Sequence, residues 1–109
     1  MRTTVLKTHD MSIYDLLELI SRKPGFYTIE RSIYRLDSFI AGADLGFTKC
    51  GFVMRDHDDL RKFNEWVARR FGFNGTSGVA NMIRYKSTSD ADAFDQYFIL
   101  LDEFRKELA

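Results

Sequence analysis

The stretch Ala91–Leu108, ADAFDQYFILLDEFRKEL, constrains the fold more than any other part of this chain. Phe94, Tyr97, Phe98, Leu101, Phe104 and Leu108 recur at helical spacing, which puts them on one side of a 3.6-residue helix. Ile99 and Leu100 widen that stripe, so the helix is expected to meet neighbours on more than one side. Asp90, Asp92 and Asp95 stand in or beside its first turn, and Arg105 and Lys106 stand in its last. Acids first and bases last is the order the helix dipole favours. The pattern predicts the central prop of a small helical domain.

Four shorter helices are expected around it. Ser12 is a suitable N-cap with Asp15 three residues on, and Ile13, Leu16, Leu17 and Ile20 make a core stripe that Pro24-Gly25 ends by Lys23. A second helix is expected at about Ser32–Ala43, buried through Ile33, Leu36, Phe39, Ile40 and Ala43. Leu45–Met54 holds two glycines and reads as helical continuation or loop. A third helix begins near Asp56–Asp59 and runs to Phe71, with Leu60, Phe63, Val67 and Phe71 inward, Trp66 to the side and Gly72 as C-cap. After a turn-rich loop at 73–78, a short fourth helix carries Val79, Met82 and Ile83 to about Tyr85. Ser87-Thr88-Ser89 then caps the last helix. Phe26–Ile29 is β-prone and short, and reads as an extended connector. The expected fold is therefore all-α: a compact single-domain bundle of about five helices, with one short extended segment near residues 26–29. Residues 1–10 read as a polar N-terminal extension and 11–109 as the helical domain.

Composition narrows the function classes. Sixteen acids balance sixteen bases, which argues against a general nucleic-acid binder. The balance is uneven: residues 87–109 carry six acids against Arg105 and Lys106, a net of −4, so the rest of the chain is +4. Cys50 is the single cysteine, so no intramolecular disulfide forms, which fits a reducing compartment; the thiol is expected to be partly buried and structural. No apolar run approaches the roughly 20 residues that span a bilayer. The N-terminal residues lack a signal-like apolar region, and the expectation is a cytoplasmic chain without membrane contact.

No constellation matches a known chemistry. His9, His57 and Cys50 make neither a zinc spacing nor a two-histidine helical pair. Asp56-His57-Asp58-Asp59 reads as a helix start. Cys50 and His57 are the one thiol–imidazole pair that can be drawn, with no third residue to orient them. The loop Gly72–Gly78 lacks the lysine of a phosphate loop. Arg31, Tyr34, Arg35, Arg84, Tyr85 and Lys86 interleave bases with aromatics, read here as long basic side chains lining solvent beside core aromatics. Lys23-Pro24-Gly25-Phe26-Tyr27 is similar to a segment of gyrase-type ATPases, but that family's acidic and Gly-rich elements are not present in the needed order. No catalytic residue, cofactor or metal is expected.

Three segments taken together carry a different likeness. Lys23-Pro24-Gly25-Phe26-Tyr27, then Phe63-x-x-Trp66-Val67-Ala68-x-Arg70-Phe71-Gly72, then Leu100-Leu101-Asp102-Glu103-Phe104 resemble small bacterial immunity proteins of polymorphic and contact-dependent growth inhibition toxin systems. The resemblance spans about residues 12–108 and rests on helix-core and capping patterns. It implies a non-enzymatic cytoplasmic protein that binds a cognate toxin domain and blocks its activity. For a nuclease toxin with a basic cleft, a matching acidic face is expected from Asp90, Asp92, Asp95, Asp102 and Glu103. Asp56, Asp58 and Asp59 extend it if the third and last helices start at the same end. Trp66, with Tyr14, Tyr34 and Tyr97, supplies candidate aromatic anchors. The alternative is a small regulatory or adaptor domain with a different protein partner. Neither reading involves direct nucleic-acid contact, and oligomeric state stays open.

Overall fold

The computed structural model describes residues 6–73 and 77–108. In chain order these form β1 (Lys7–Ser12), α1 (Ile13–Arg22), α2 (Pro24–Tyr27), α3 (Ile33–Lys49), β2 (Phe52–Arg55), α4 (Asp59–Phe71), α5 (Val79–Tyr85) and α6 (Asp90–Leu108). The domain is mostly helical, as the apolar periodicity requires, with a small two-stranded parallel sheet added.

The helix ends follow from local chemistry. Ser12 opens α1 with a reciprocal capping box: its hydroxyl accepts the Asp15 amide and the Asp15 carboxylate accepts the Ser12 amide. Ser32 caps α3 by accepting the Arg35 amide. The Ser89 hydroxyl accepts the Asp92 amide at 3.0 Å at the head of α6. Gly72 closes α4 in the left-handed region at φ 74°, and the Phe73 amide turns back to the Ala68 carbonyl at 2.9 Å. That pair of features is a Schellman ending.

Two sequence expectations need correction, and one that stood open between two readings is decided. Phe26–Ile29 is not extended: Pro24 sits at the first position of the one-turn helix α2, where its fixed φ and missing N–H are favourable, and this overrides the β propensity of Phe26 and Tyr27. Extended backbone lies elsewhere. Lys7, Thr8 and His9 pair in parallel with Phe52, Val53 and Met54, and after an irregularity Ser12 pairs with Arg55. Ordered structure thus begins ahead of Met11; residues 1–5 and 74–76 lie outside the described residues. Of the two readings open for Leu45–Met54, helical continuation holds as far as Lys49: α3 runs on from Ala43 through Gly46, and Gly51 at φ 88° makes the turn into β2. The β1-to-β2 connection runs through α1, α2 and α3, the long crossover that parallel strands need.

The core lies against α6. Phe63 of α4 is buried and meets Tyr97 edge-on at 5.2 Å and Phe104 at 5.4 Å, while Phe94 and Phe98 continue the aromatic row along α6. Ile13, Leu17 and Ile20 of α1, Ile33 and Leu36 of α3, Met54 of β2 and Met82 and Ile83 of α5 complete the cluster. No helix among the described residues is long and apolar enough to cross a membrane. Removing the ring at the centre of this seam leaves a void that its neighbours on α6 cannot fill, so Phe63→Ala is expected to cost about 3–5 kcal/mol in a urea melt. A cost below 1 kcal/mol, in the range of a surface change, would contradict this placement.

Candidate interaction surface

Most of the acids nominated from sequence serve the fold where they stand. The Asp90 carboxylate accepts the Ile33 amide at 2.9 Å, joining the N-termini of α6 and α3. Asp92 accepts the Thr88 amide at 2.9 Å, and that bond holds its carboxyl below the usual range. Asp95 pairs with Arg31 at 3.4 Å and Glu103 with Arg70 at 2.9 Å. Asp58 pairs with Arg61 at 3.2 Å, and the Arg61 hydrogen bond lowers its pKa. Asp59 accepts the Tyr14 hydroxyl at 2.6 Å and lies 3.7 Å from Lys62. Asp56 occupies a left-handed position at φ 63°, which aspartate tolerates, and lies 4.0 Å from Arg55. Asp102 has no ion pair among the described residues and lines a groove between α1 and α6 with Glu18, Ser21 and Arg105.

The acids also fail to form one face. Arg105, near the end of α6, sits 3.9 Å over the Tyr14 ring, and Tyr14 donates to Asp59. Asp56, Asp58 and Asp59 therefore lie toward the C-terminal end of α6, whereas Asp90, Asp92 and Asp95 lie at its start. At 1.5 Å per residue the two ends are separated by about 22 Å. The condition for a continuous acidic face, both helices starting at one end, is not met.

The nominated aromatics divide as well. Tyr97 is buried, and burial pushes its hydroxyl pKa up. Tyr14 is half-buried, its pKa raised by desolvation and by the bond to Asp59. Trp66 is half-buried: it stacks on Phe63, lies under the Arg70 guanidinium at 5.3 Å and donates its indole N–H to Glu107. Tyr34 and Tyr85 are exposed, which corrects the reading of their segments as core aromatics. Cys50 is exposed at the end of α3, not partly buried, on an open apolar groove with His9, Phe47 and Phe52; His57 does not line that groove. No group of three or more His, Cys, Asp or Glu side chains placed to hold a metal occurs among the described residues.

The surface that periodicity did not reveal is built by the chain between α2 and α3. The Glu30 amide donates to the Thr28 carbonyl at 2.7 Å, a three-residue turn centred on Ile29 with φ 67°. A γ-turn with positive φ is strained, and a β-branched residue is the least suited to it. Thr28 secures the turn: it is buried, its amide donates to the Pro24 carbonyl, and its hydroxyl lies 2.9 Å from the Pro24 carbonyl and 2.8 Å from the Glu30 carbonyl. The side chain displayed by this arrangement is apolar. Ile29 is 74% exposed, Phe26 80% and Tyr34 46%, so three large apolar groups from adjoining segments face water. Beside them runs an open groove of about 460 Å³ lined by Tyr27, Thr28, Ile29, Tyr34, Arg35, Ser38 and Phe39. Pro24-Gly25 and the β-branched Ile29 were visible in the sequence, but nothing in their spacing signals a left-handed turn.

Comparison of the chain with family models, with curated proteins and with solved structures finds no match in any of the three.

Two stability measurements test these assignments. Glycine has no Cβ to clash at positive φ, so Ile29→Gly is expected to stabilise the fold by about 1 kcal/mol, read as a higher denaturation midpoint at unchanged slope. Asp90→Ala leaves the Ile33 amide without its acceptor and is expected to cost about 1–3 kcal/mol, whereas Asp90→Asn keeps an oxygen in place and costs clearly less. Equal losses for the two Asp90 variants would show that charge, and not the bond to α3, is what matters there.

Proposed function

We propose that this chain is a non-enzymatic, cytoplasmic binding protein that neutralises a bacterial toxin domain, docking through the surface around Phe26, Ile29 and Tyr34. The observation that carries the docking surface is the Ile29 turn. A residue that strains the backbone and leaves its apolar side chain in water lowers the stability of the isolated domain twice over. Contact with a partner gives that arrangement a use. Aromatic and aliphatic anchors set in the middle of an interface are the side chains that dominate binding energy. A specific interface buries about 1,200–2,000 Å² in total, so these three residues form its centre and the flanks of α2 and α3 its rim. The class of partner, a cognate toxin domain, comes from the sequence resemblance to immunity proteins. In this reading Asp90 and Asp95 of α6 fasten the segment beside the site and do not themselves grip the partner.

The test is binding and activity together, with the variable C-terminal domain of a toxin encoded next to this chain. Binding near about 1 nM with loss of toxin activity is expected. Phe26→Ser is expected to weaken it about tenfold or more, while Ile99→Ser, an exposed site on α6, leaves it unchanged. A toxin domain that ignores the protein would end the immunity reading in favour of an adaptor domain. Full binding by Phe26→Ser would move the interface elsewhere.

A further inference from the structure

We propose that the pocket between α3, α4, α5 and α6 binds a primary ammonium group on a short apolar stem, held by Asp37, Asn64 and Tyr97. None of Phe26, Ile29 and Tyr34 lines this pocket, so it stands or falls apart from the docking surface proposed above.

The pocket holds about 260 Å³. That is below the ~300–1,000 Å³ of sites for drug-sized molecules and suits one long side chain or a small amine. Ile40 of α3, Phe63 of α4 and Val79 of α5 wall it. Tyr97 of α6 reaches it from the core: the residue is only 2% exposed, yet its hydroxyl makes no hydrogen bond among the described residues. A buried hydroxyl without a partner is costly, and one that lines a pocket marks where an occupant is needed. Asp37 stands at the exposed mouth, with no ion pair or hydrogen bond among the described residues. Desolvation raises its pKa, and no base or donor offsets that rise. Burial, then the charge of Asp37, raise the pKa of Tyr97, so the two groups sense each other across the pocket without bonding. Asn64 of α4 adds an amide oxygen that is likewise unused among the described residues.

The charge here is negative after every ion pair is counted. Arg61 is the one base on the lining, and it is shared between Asp58 at 3.2 Å and Glu65 at 3.1 Å. One guanidinium against two carboxylates leaves no positive surplus, and Asp37 adds an acid that nothing neutralises. The occupant therefore needs one positive charge and donors for three oxygens. A primary ammonium has one charge, three N–H donors and no acceptor. Water would satisfy the hydroxyl and leave the charge of Asp37 unanswered. A carboxylate or phosphate would add a like charge. A hard metal ion needs several oxygen ligands, and no group of three or more His, Cys, Asp or Glu occurs among the described residues.

The experiment titrates the whole, isotope-labelled chain at neutral pH with pentylammonium. Pentanol and pentanoate serve as the neutral and anionic counterparts of the same stem, and lysine blocked at both backbone ends is a fourth probe. The backbone amides of Asp37, Ile40, Asn64, Val79 and Tyr97 report binding. Pentylammonium is expected to shift them saturably with a Kd of about 10 mM or tighter, and to bind more weakly as salt rises. Pentanol and pentanoate are expected to bind about tenfold or more weakly. Asp37→Asn is expected to weaken pentylammonium about tenfold or more, and Tyr97→Phe about threefold or more. Neither variant is expected to lower the urea midpoint, because each removes a polar group that the fold leaves without a partner. Absence of a saturable shift, equal binding of pentanol, undiminished binding by Asp37→Asn, or a lower midpoint for Tyr97→Phe would overturn the inference. Equal binding of blocked lysine supports it and assigns the site to a lysine of a protein partner. Binding of pentylammonium without blocked lysine supports it and assigns the site to a free amine.

Discussion

The hydrogen bond from the Ile33 amide to Asp90 sets the geometry of everything near it. It ties the head of α3 to the head of α6, two helix N-termini whose partial positive charges would otherwise repel and whose free amides need acceptors. One carboxylate answers both needs. Ser32 and Ser89 each cap one of the same two helices from the residues just ahead of it, and Arg31 reaches Asp95 just beyond. With α3 fixed at that end, the segment from Thr28 to Arg31 has little freedom left. It closes through the Ile29 turn and carries its apolar side chain outward.

The outcome divides labour between charge and grease in an unexpected way. Asp90, Asp92 and Asp95 of α6 are spent on amides and an ion pair, while Phe26 and Ile29, between α1 and α3, are left in water. Not every charge contact matters equally. The pairs of Arg61 with Asp58 and Glu65 stand in water on the outside of α4, where such pairs contribute about 0–1 kcal/mol. The bond to the Ile33 amide is partly buried, and losing it strands a backbone donor. Stability comes chiefly from the aromatic seam, where Phe63 fills the space between Tyr97 and Phe104.

Much of the helical framework was legible in the residues. Ser12 with Asp15, Gly72 after Phe71 and the stripe from Phe94 to Phe104 each combine periodicity with a local stop or start signal, and all three appear as read. The sheet was not legible. Lys7–His9 shows no two-residue alternation, and its pairing partner is far away in sequence, so nothing local marks it as a strand. The C-terminal end of α3 stood open between helix and loop because Gly42 and Gly46 have low helix propensity, which packing of Ile40 and Phe47 overrides. At Phe26 and Tyr27 a side-chain preference for strands lost to the backbone restriction of Pro24.

The sequence by itself determined which residues are apolar, where α1, α4 and α6 start or stop, and that α6 is the element around which the rest gathers. Those properties depend on neighbours within about one or two turns, and each can be read from spacing and capping chemistry. Only the tertiary structure decided which acids are already engaged and which apolar residues remain outside. That assignment depends on how helix ends meet across the chain: Asp90 on Ile33, Asp95 on Arg31, Asp59 on Tyr14. The same contacts leave Phe26, Ile29 and Tyr34 facing water. A carboxylate looks the same in sequence whether it faces solvent or a backbone amide, so the face that binds could not be read until the helices were in place.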